Sequence, residues 1–152
     1  MMDVYDQNTR RRVMQRIRKT NTKPELRVRS VLHRMGYRFR LYRSDLPGNP
    51  DIVLPKYRVA VLVHGCFWHQ HSCSLGKLPK SNRSYWVPKL TGNCVRDGQT
   101  KKALSAAGWK VVTVWECEVT TDDCVRQLLE ARLKLYSPKL GNPNATKRSL
   151  SP

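Results

Sequence analysis

"NPDIVLPKYRVAVLVHG", residues 49–65, decides the fold. Arg58 to Gly65 is nearly all β-branched and apolar, the pattern of a central strand buried on both faces. Asp51 to Leu54 reads as a second, short buried strand, and "PKY" between them turns the chain. The two strands form a hairpin. A tight turn brings Asp51, at the start of one strand, beside residues 62–64 at the end of the other. A carboxylate therefore meets His64 where the central strand ends.

The flanking sequence supplies the layers around this hairpin. Residues 9–19 read as a short basic helix with Val13, Met14 and Ile17 near helical spacing, capped by Asn8 or Thr9. "TKPEL" starts a second helix, with Thr22 as N-cap, Pro24 in the first turn and Glu25 completing a capping box. Leu26, Val31, Leu32 and Met35 follow its period, and Gly36 ends it. Tyr37 to Arg43 alternates and predicts a strand, and "DLPGNP" is turn chemistry. Beyond the hairpin, a helix is expected from about Val95 to Ala107, closed by Gly108, then a buried strand from Trp109 to Cys117. A last amphipathic helix is capped by Thr121, with Asp122 and Asp123 in its first turn. The order α-α-β-β-β-α-β-α predicts an α/β fold, a mixed sheet flanked by helices on both faces. One domain is expected over residues 1–137, with residues 1–20 as a basic N-terminal region. Residues 138–152 are rich in Pro, Ser and Asn and are expected to be a loose tail.

Charge names the partner class. Among 152 residues, 29 are Lys or Arg and 11 are Asp or Glu, for a net charge of +18. That balance calls for a polyanion, with nucleic acid ahead of an anionic membrane surface. The basic residues recur along the chain rather than in one block, so they belong to a folded surface. Arg11, Arg12 and Arg16 suit phosphate contacts, which set position and not sequence. No apolar run approaches the ~20 residues of a membrane span, and no secretory leader is evident, so a cytoplasmic protein is expected.

"HGCFWHQHSC", residues 64–73, follows the central strand. Cys66, His71 and Cys73 have the close N/S spacing of a tetrahedral zinc site. A fourth ligand would close it. Cys117 is favoured, because a neighbouring strand would deliver its end to this loop; Cys94 and Cys124 are rivals. Cys124 lies near apolar positions and reads as a core thiol. A closed four-ligand site is structural, so zinc would not do the chemistry. His64 and His69 stay outside it. With Asp51 they form a different constellation, one acid able to hold Mg2+ with carbonyl, phosphate and water oxygens. The histidines would activate water or assist a leaving group. Phe67 and Trp68, between zinc ligands, are candidates for wedges inserted between base pairs, with Trp86 on the same surface and Met14 in the basic helix.

Taken together, "PDIVLP", "VLVHGCFWHQHSC", "NCVRD" and "VWEC" resemble the very-short-patch-repair (Vsr) DNA mismatch endonucleases, over most of the chain. The phrase H-G-C-F-W-H-x-H-x-C is highly specific. The resemblance implies a restriction-endonuclease-like fold. It also implies nicking of duplex DNA 5′ to the thymine of a T:G mismatch, left when 5-methylcytosine deaminates, which starts very short patch repair. Residue by residue, it makes Asp51 the Mg2+ carboxylate, helped by the carbonyl of Val63. His69 would activate water with His64 in support. Asp97 would orient a histidine, and Glu25 matches a position near the site. Cys66, His71, Cys73 and Cys117 match the zinc ligands. Phe67, Trp68 and Trp86 match intercalating aromatics and Met14 a wedge, while Lys89 and Asn93 match positions that approach the mismatched pair. A monomer acting on DNA is implied, in a bacterial cytoplasm at the nucleoid, with MutL-type repair proteins and a DNA polymerase as partners. Where the wider restriction-endonuclease superfamily has an acidic-x-Lys pattern, this strand ends Leu62-Val63-His64.

Two other readings compete. A zinc-stapled DNA-binding module without catalysis accounts for the charge, the cysteines and the aromatics, but leaves Asp51, His64, His69 and Asp97 unexplained. A homodimeric endonuclease making double-strand breaks fits an asymmetric mismatch poorly.

Overall fold

The structure, a computed structural model, describes residues 6–16 and 20–136. The expected end of the first helix, at 17–19, and the expected loose tail at 138–152 lie outside the described residues. Four helices and four strands follow in the predicted order: α1 (Gln7–Arg16), α2 (Lys23–Arg34), β1 (Arg40–Leu41), β2 (Ile52–Leu54), β3 (Val59–His64), α3 (Arg83–Ala106), β4 (Lys110–Trp115) and α4 (Asp122–Tyr136). They make one mixed sheet in the order β1-β2-β3-β4. β2 and β3 are the antiparallel hairpin, with Ile52 opposite Val61. β4 runs parallel to β3, and His64 sits opposite Trp115 at the shared end.

Alternation along β3 divides the core. Val59 and Val61 join Ile52, Leu54, Val112 and Val114 against α2 and α4, through Val28, Val31, Leu32, Val125, Leu129 and Leu133. Ala60 faces the other side, with Val53, Leu104 of α3 and Trp109. Both faces of the sheet are thus covered, which is why β3 reads as continuous apolar sequence. Leu129 and Leu133 are essentially inaccessible, and truncating either to Ala would cost about 2–5 kcal/mol.

The caps behave as physics requires, with two shifts of partner. The Thr22 hydroxyl accepts from the Glu25 amide at 3.4 Å, but the reciprocal bond to Glu25 comes from the N–H of Asn21, not Thr22. α1 is capped by Asp6, whose carboxylate accepts from the Thr9 amide at 2.6 Å, rather than by Asn8 or Thr9.

Two elements differ from expectation. The strand predicted over Tyr37 to Arg43 pairs only at Arg40–Leu41. Tyr37 is drawn into the core, edge-on to Tyr57, and Tyr42 leaves the extended region with φ of 46°. The third helix starts at Arg83 and not near Val95. Pro88 and Gly92 hide its first turns from a propensity reading. Burial of Trp86 and Leu90, one turn apart, outweighs that cost, and Pro88 is exposed, so water can reach the carbonyl it leaves unbonded. No helix among the described residues is long and apolar enough to cross a membrane.

Candidate active site and metal centre

Asp51 stands just before β2, where the hairpin opens. Its Oδ2 accepts the Val63 N–H at 2.8 Å, just beyond the last pair of the β2–β3 ladder, Ile52 and Val61. In an extended strand the N–H and C=O of one residue face the same edge, so the Val63 carbonyl lies on Asp51's side of β3. Burial pushes the Asp51 carboxyl up from 3.8 to about 6, against the Val63 hydrogen bond, and the nearby charge of Glu25 adds to the rise. A carboxylate held half-dry beside a backbone carbonyl has the hard oxygen donors that Mg2+ takes.

His64 ends β3 and is only 6% exposed. Its Nδ1 is buried and has no hydrogen-bond partner among the described residues. Burial, aided by His69, holds its pKa down from 6.5 to about 4, so the ring is neutral. The His69 ring stacks on it, with 3.9 Å between centroids and 6° between planes. His69 Nδ1 is 2.5 Å from Asp97 Oδ2, on α3. With Nδ1 turned to the carboxylate, Nε2 of His69 is the nitrogen left to act as a base.

Beside this pair sits a separate cluster. One donor atom from each of Cys66, His71, Cys73 and Cys117 lies within 4.8 Å of the others. Three thiols and an imidazole are the donor set of a closed tetrahedral site. Burial pushes the Cys66 thiol up to about 12, while a hydrogen bond from His71 brings Cys73 down to about 6. Thiols of such unequal acidity in one cluster need a cation before all ionise. Cys117 arrives in the turn after β4, and its N–H reaches Cys66 Sγ at 3.4 Å, as the parallel pairing predicts. The rivals fall away: Cys94 is exposed on α3, its thiol toward the His69 carbonyl at 3.5 Å, and Cys124 is exposed on α4 instead of in the core. Gly76 closes the loop because a Cβ there would sit 1.8 Å from the His71 carbonyl oxygen.

The family model of the DNA mismatch endonuclease Vsr matches residues 2–75. The type II nicking enzyme V.XorIIP of Xanthomonas oryzae pv. oryzae is 52% identical over 134 residues, covering 88% of this chain and 96% of that protein. The DNA mismatch endonuclease Vsr of Escherichia coli K12 is 39% identical over 135 residues, covering 86% of each. The type II nicking enzyme V.NmeAIP of Neisseria meningitidis is 43% identical over 129 residues, covering 85% and 92%. The chain belongs to the Vsr DNA mismatch endonuclease family. It is a DNA endonuclease, with the mixed α/β fold expected of one.

In this Vsr protein the loop aromatics form a cluster against α3. Phe67 meets Trp68 and Trp86 edge-on at 5.0 and 5.2 Å. Trp86 is 7% exposed and forms the floor, so Phe67 and Trp68 are the members nearer solvent. Lys89 Nζ lies 5.9 Å from the Trp68 ring centroid, and Asn93 Nδ2 donates to the Trp68 carbonyl at 2.9 Å. The Arg10 guanidinium of α1 lies over Tyr85, 5.4 Å from its ring centroid, and Tyr85 meets Trp86 edge-on at 5.0 Å.

Sequence reasoning passed over three residues here. Trp115 stands between the two clusters that could hold a metal, stacked on His71 at 4.3 Å and edge-on to His64 at 5.3 Å. Its only signal was the register that pairs its strand end with His64. Arg29 and Tyr42 both bond Glu25, which is 2% exposed. Arg29 had a local signal, its i,i+4 spacing from Glu25 on one helix, whereas nothing local marks Tyr42.

Proposed function

We propose that this Vsr endonuclease is Mg2+-dependent and nicks duplex DNA 5′ to the thymine of a T:G mismatch left by deaminated 5-methylcytosine, initiating very short patch repair. The observation that carries the reading is the cluster of His64, His69 and Asp97, two stacked imidazoles with the outer ring anchored by an acid, beside a second acid, Asp51, bonded to the Val63 N–H next to His64. A zinc-stapled module that only bound DNA would have no need of it.

Asp51 and the Val63 carbonyl would hold the Mg2+, with Glu25 close by. The ion would supply charge neutralisation for the phosphate and acidity for its water. His69 Nε2 takes the proton as the water oxygen attacks phosphorus and the bond to the leaving sugar oxygen breaks. Asp97 holds the tautomer and balances the imidazolium. The neutral face of His64 supports the charged ring, with its Nδ1 buried and without a hydrogen-bond partner among the described residues. Cys66, His71, Cys73 and Cys117 would hold a structural Zn2+ that fixes the loop carrying His69, Phe67 and Trp68. Phe67 and Trp68 would wedge beside the mismatch with Trp86 behind them and Met14 opposite. Lys89 and Asn93 would approach the mispaired bases. The working unit is a monomer, residues 1–137, in a bacterial cytoplasm at the nucleoid. MutL-type proteins and a repair polymerase act with or after it.

The test is a labelled duplex with one T:G pair in several methylation-site contexts, incubated with Mg2+ or EDTA. The expected product is a nick in the T strand alone, with Mg2+ alone. Binding without a nick in every context would favour the binding module, and a double-strand break would favour the dimeric enzyme.

A further inference from the structure

We propose that Arg29 and Tyr42 are positioning residues that fix the Glu25 carboxylate against Asp51, so that the two acids hold one divalent cation. This rests on the reading above that a cation sits at Asp51.

Tyr42 grips both acids. Its backbone N–H donates to the Asp51 carbonyl at 3.4 Å, and its hydroxyl donates to Glu25 Oε2 at 2.5 Å. Tyr42 makes both bonds from a backbone with φ of 46°, a conformation that bulky L residues seldom adopt. Arg29 completes the grip. Its Nη2 donates to Glu25 Oε2 at 3.1 Å and to the Tyr42 hydroxyl, and its guanidinium lies 5.2 Å from the Tyr42 ring centroid. The Arg29 and Glu25 side chains are 12% and 3% exposed, so this is a buried pair with little freedom to rotate.

The hydrogen bonds fall unevenly on the carboxylate. Oε2 accepts from Tyr42, Arg29 and the Asn21 amide, whereas among the described residues Oε1 accepts only from the Thr22 hydroxyl at 3.2 Å. Oε2 is saturated, and Oε1 keeps a lone pair for a cation's water. A helix cap needs Thr22 and Glu25 alone and explains neither Arg29 nor the left-handed Tyr42. Buried ion pairs add little stability, so this one is better explained by the arrangement it enforces. Tyr42 ties the Asp51 main chain and the Glu25 carboxylate to one residue, and a divalent cation is what relieves two carboxylates held close together.

The experiment uses the zinc-loaded full chain and Mn2+ as a probe, counting free ion by EPR with no turnover. Asp51→Asn should abolish the site. Tyr42→Phe and Arg29→Met should each weaken Mn2+ binding about tenfold. They should raise the Mg2+ concentration for half-maximal nicking by the same factor, with DNA affinity unchanged. Arg29→Lys, which keeps charge without the fork, should recover only part of the loss. Wild-type Mn2+ affinity in Tyr42→Phe and Arg29→Met overturns the proposal, whatever happens to their melting temperatures. If Arg29→Met does not fold, Tyr42→Phe decides alone, since it keeps the ring and the backbone. If the wild type binds no Mn2+ that Asp51→Asn removes, the cation reading falls as well. If it does, and Tyr42→Phe matches it, this proposal alone falls.

Discussion

The rings of His64 and His69 lie face to face, 3.9 Å apart and 6° from parallel. One ends a central strand and the other begins its way back along the loop, so the stack is set by the sheet and not by chance contact. With Asp97 the two rings bring one donor atom each within 4.8 Å of one another, a set distinct from the cysteine-rich cluster nearby. The stack places one neutral ring behind one ring aimed at Asp97.

Asp51→Asn should abolish nicking and make the protein more stable at neutral pH. The native carboxyl is raised to about 6, so it binds a proton between pH 4 and 6 when the unfolded chain has lost it. Stability therefore falls as pH rises through that window, by about 3 kcal/mol in full above it. Asn removes the penalty. Without Mg2+ but with the cysteine site loaded, melting temperatures of wild type and variant should diverge at pH 7.5 and converge near pH 4. A variant no more stable at pH 7.5 would show that Asp51 is not desolvated.

Asp97→Ala should slow nicking about a hundredfold or more and leave DNA binding intact. His69 would lose the partner on Nδ1 that fixes its tautomer. Single-turnover rates with saturating enzyme separate the two effects. A rate within twofold of wild type would remove His69 as the base.

Cys73→Ser should release the bound metal and lower the melting temperature by about 10 °C or more, because metal binding is here part of folding. A colorimetric chelator read during the melt gives both quantities. A folded, fully active and metal-free variant would contradict the zinc assignment.

Trp68→Ala should cut the preference for mismatched over matched duplex about tenfold, with matched affinity nearly unchanged, since stacking acts on bases and the basic surface acts on phosphates. Competition binding with the two duplexes measures the ratio. An unchanged ratio would sink the wedge role.

The sequence by itself determined whatever is local or periodic. An unbroken apolar run named β3, a three-residue turn put Asp51 at its end, and close spacing named Cys66, His71 and Cys73. Cys117 was within reach because a parallel neighbour must end where β3 ends. Tertiary packing decided the rest. The first turns of α3 form in spite of Pro88 because Trp86 and Leu90 find a buried face to fill. The seven-residue alternating stretch after α2 keeps only two paired residues because Tyr37 is worth more in the core and Tyr42 is turned to reach Glu25. Glu25 itself reads as a helix cap. Only the return of the chain 17 residues later, at Tyr42, ties this buried acid to the strand start at Asp51, because a long-range hydrogen bond leaves no trace in the spacing of residues.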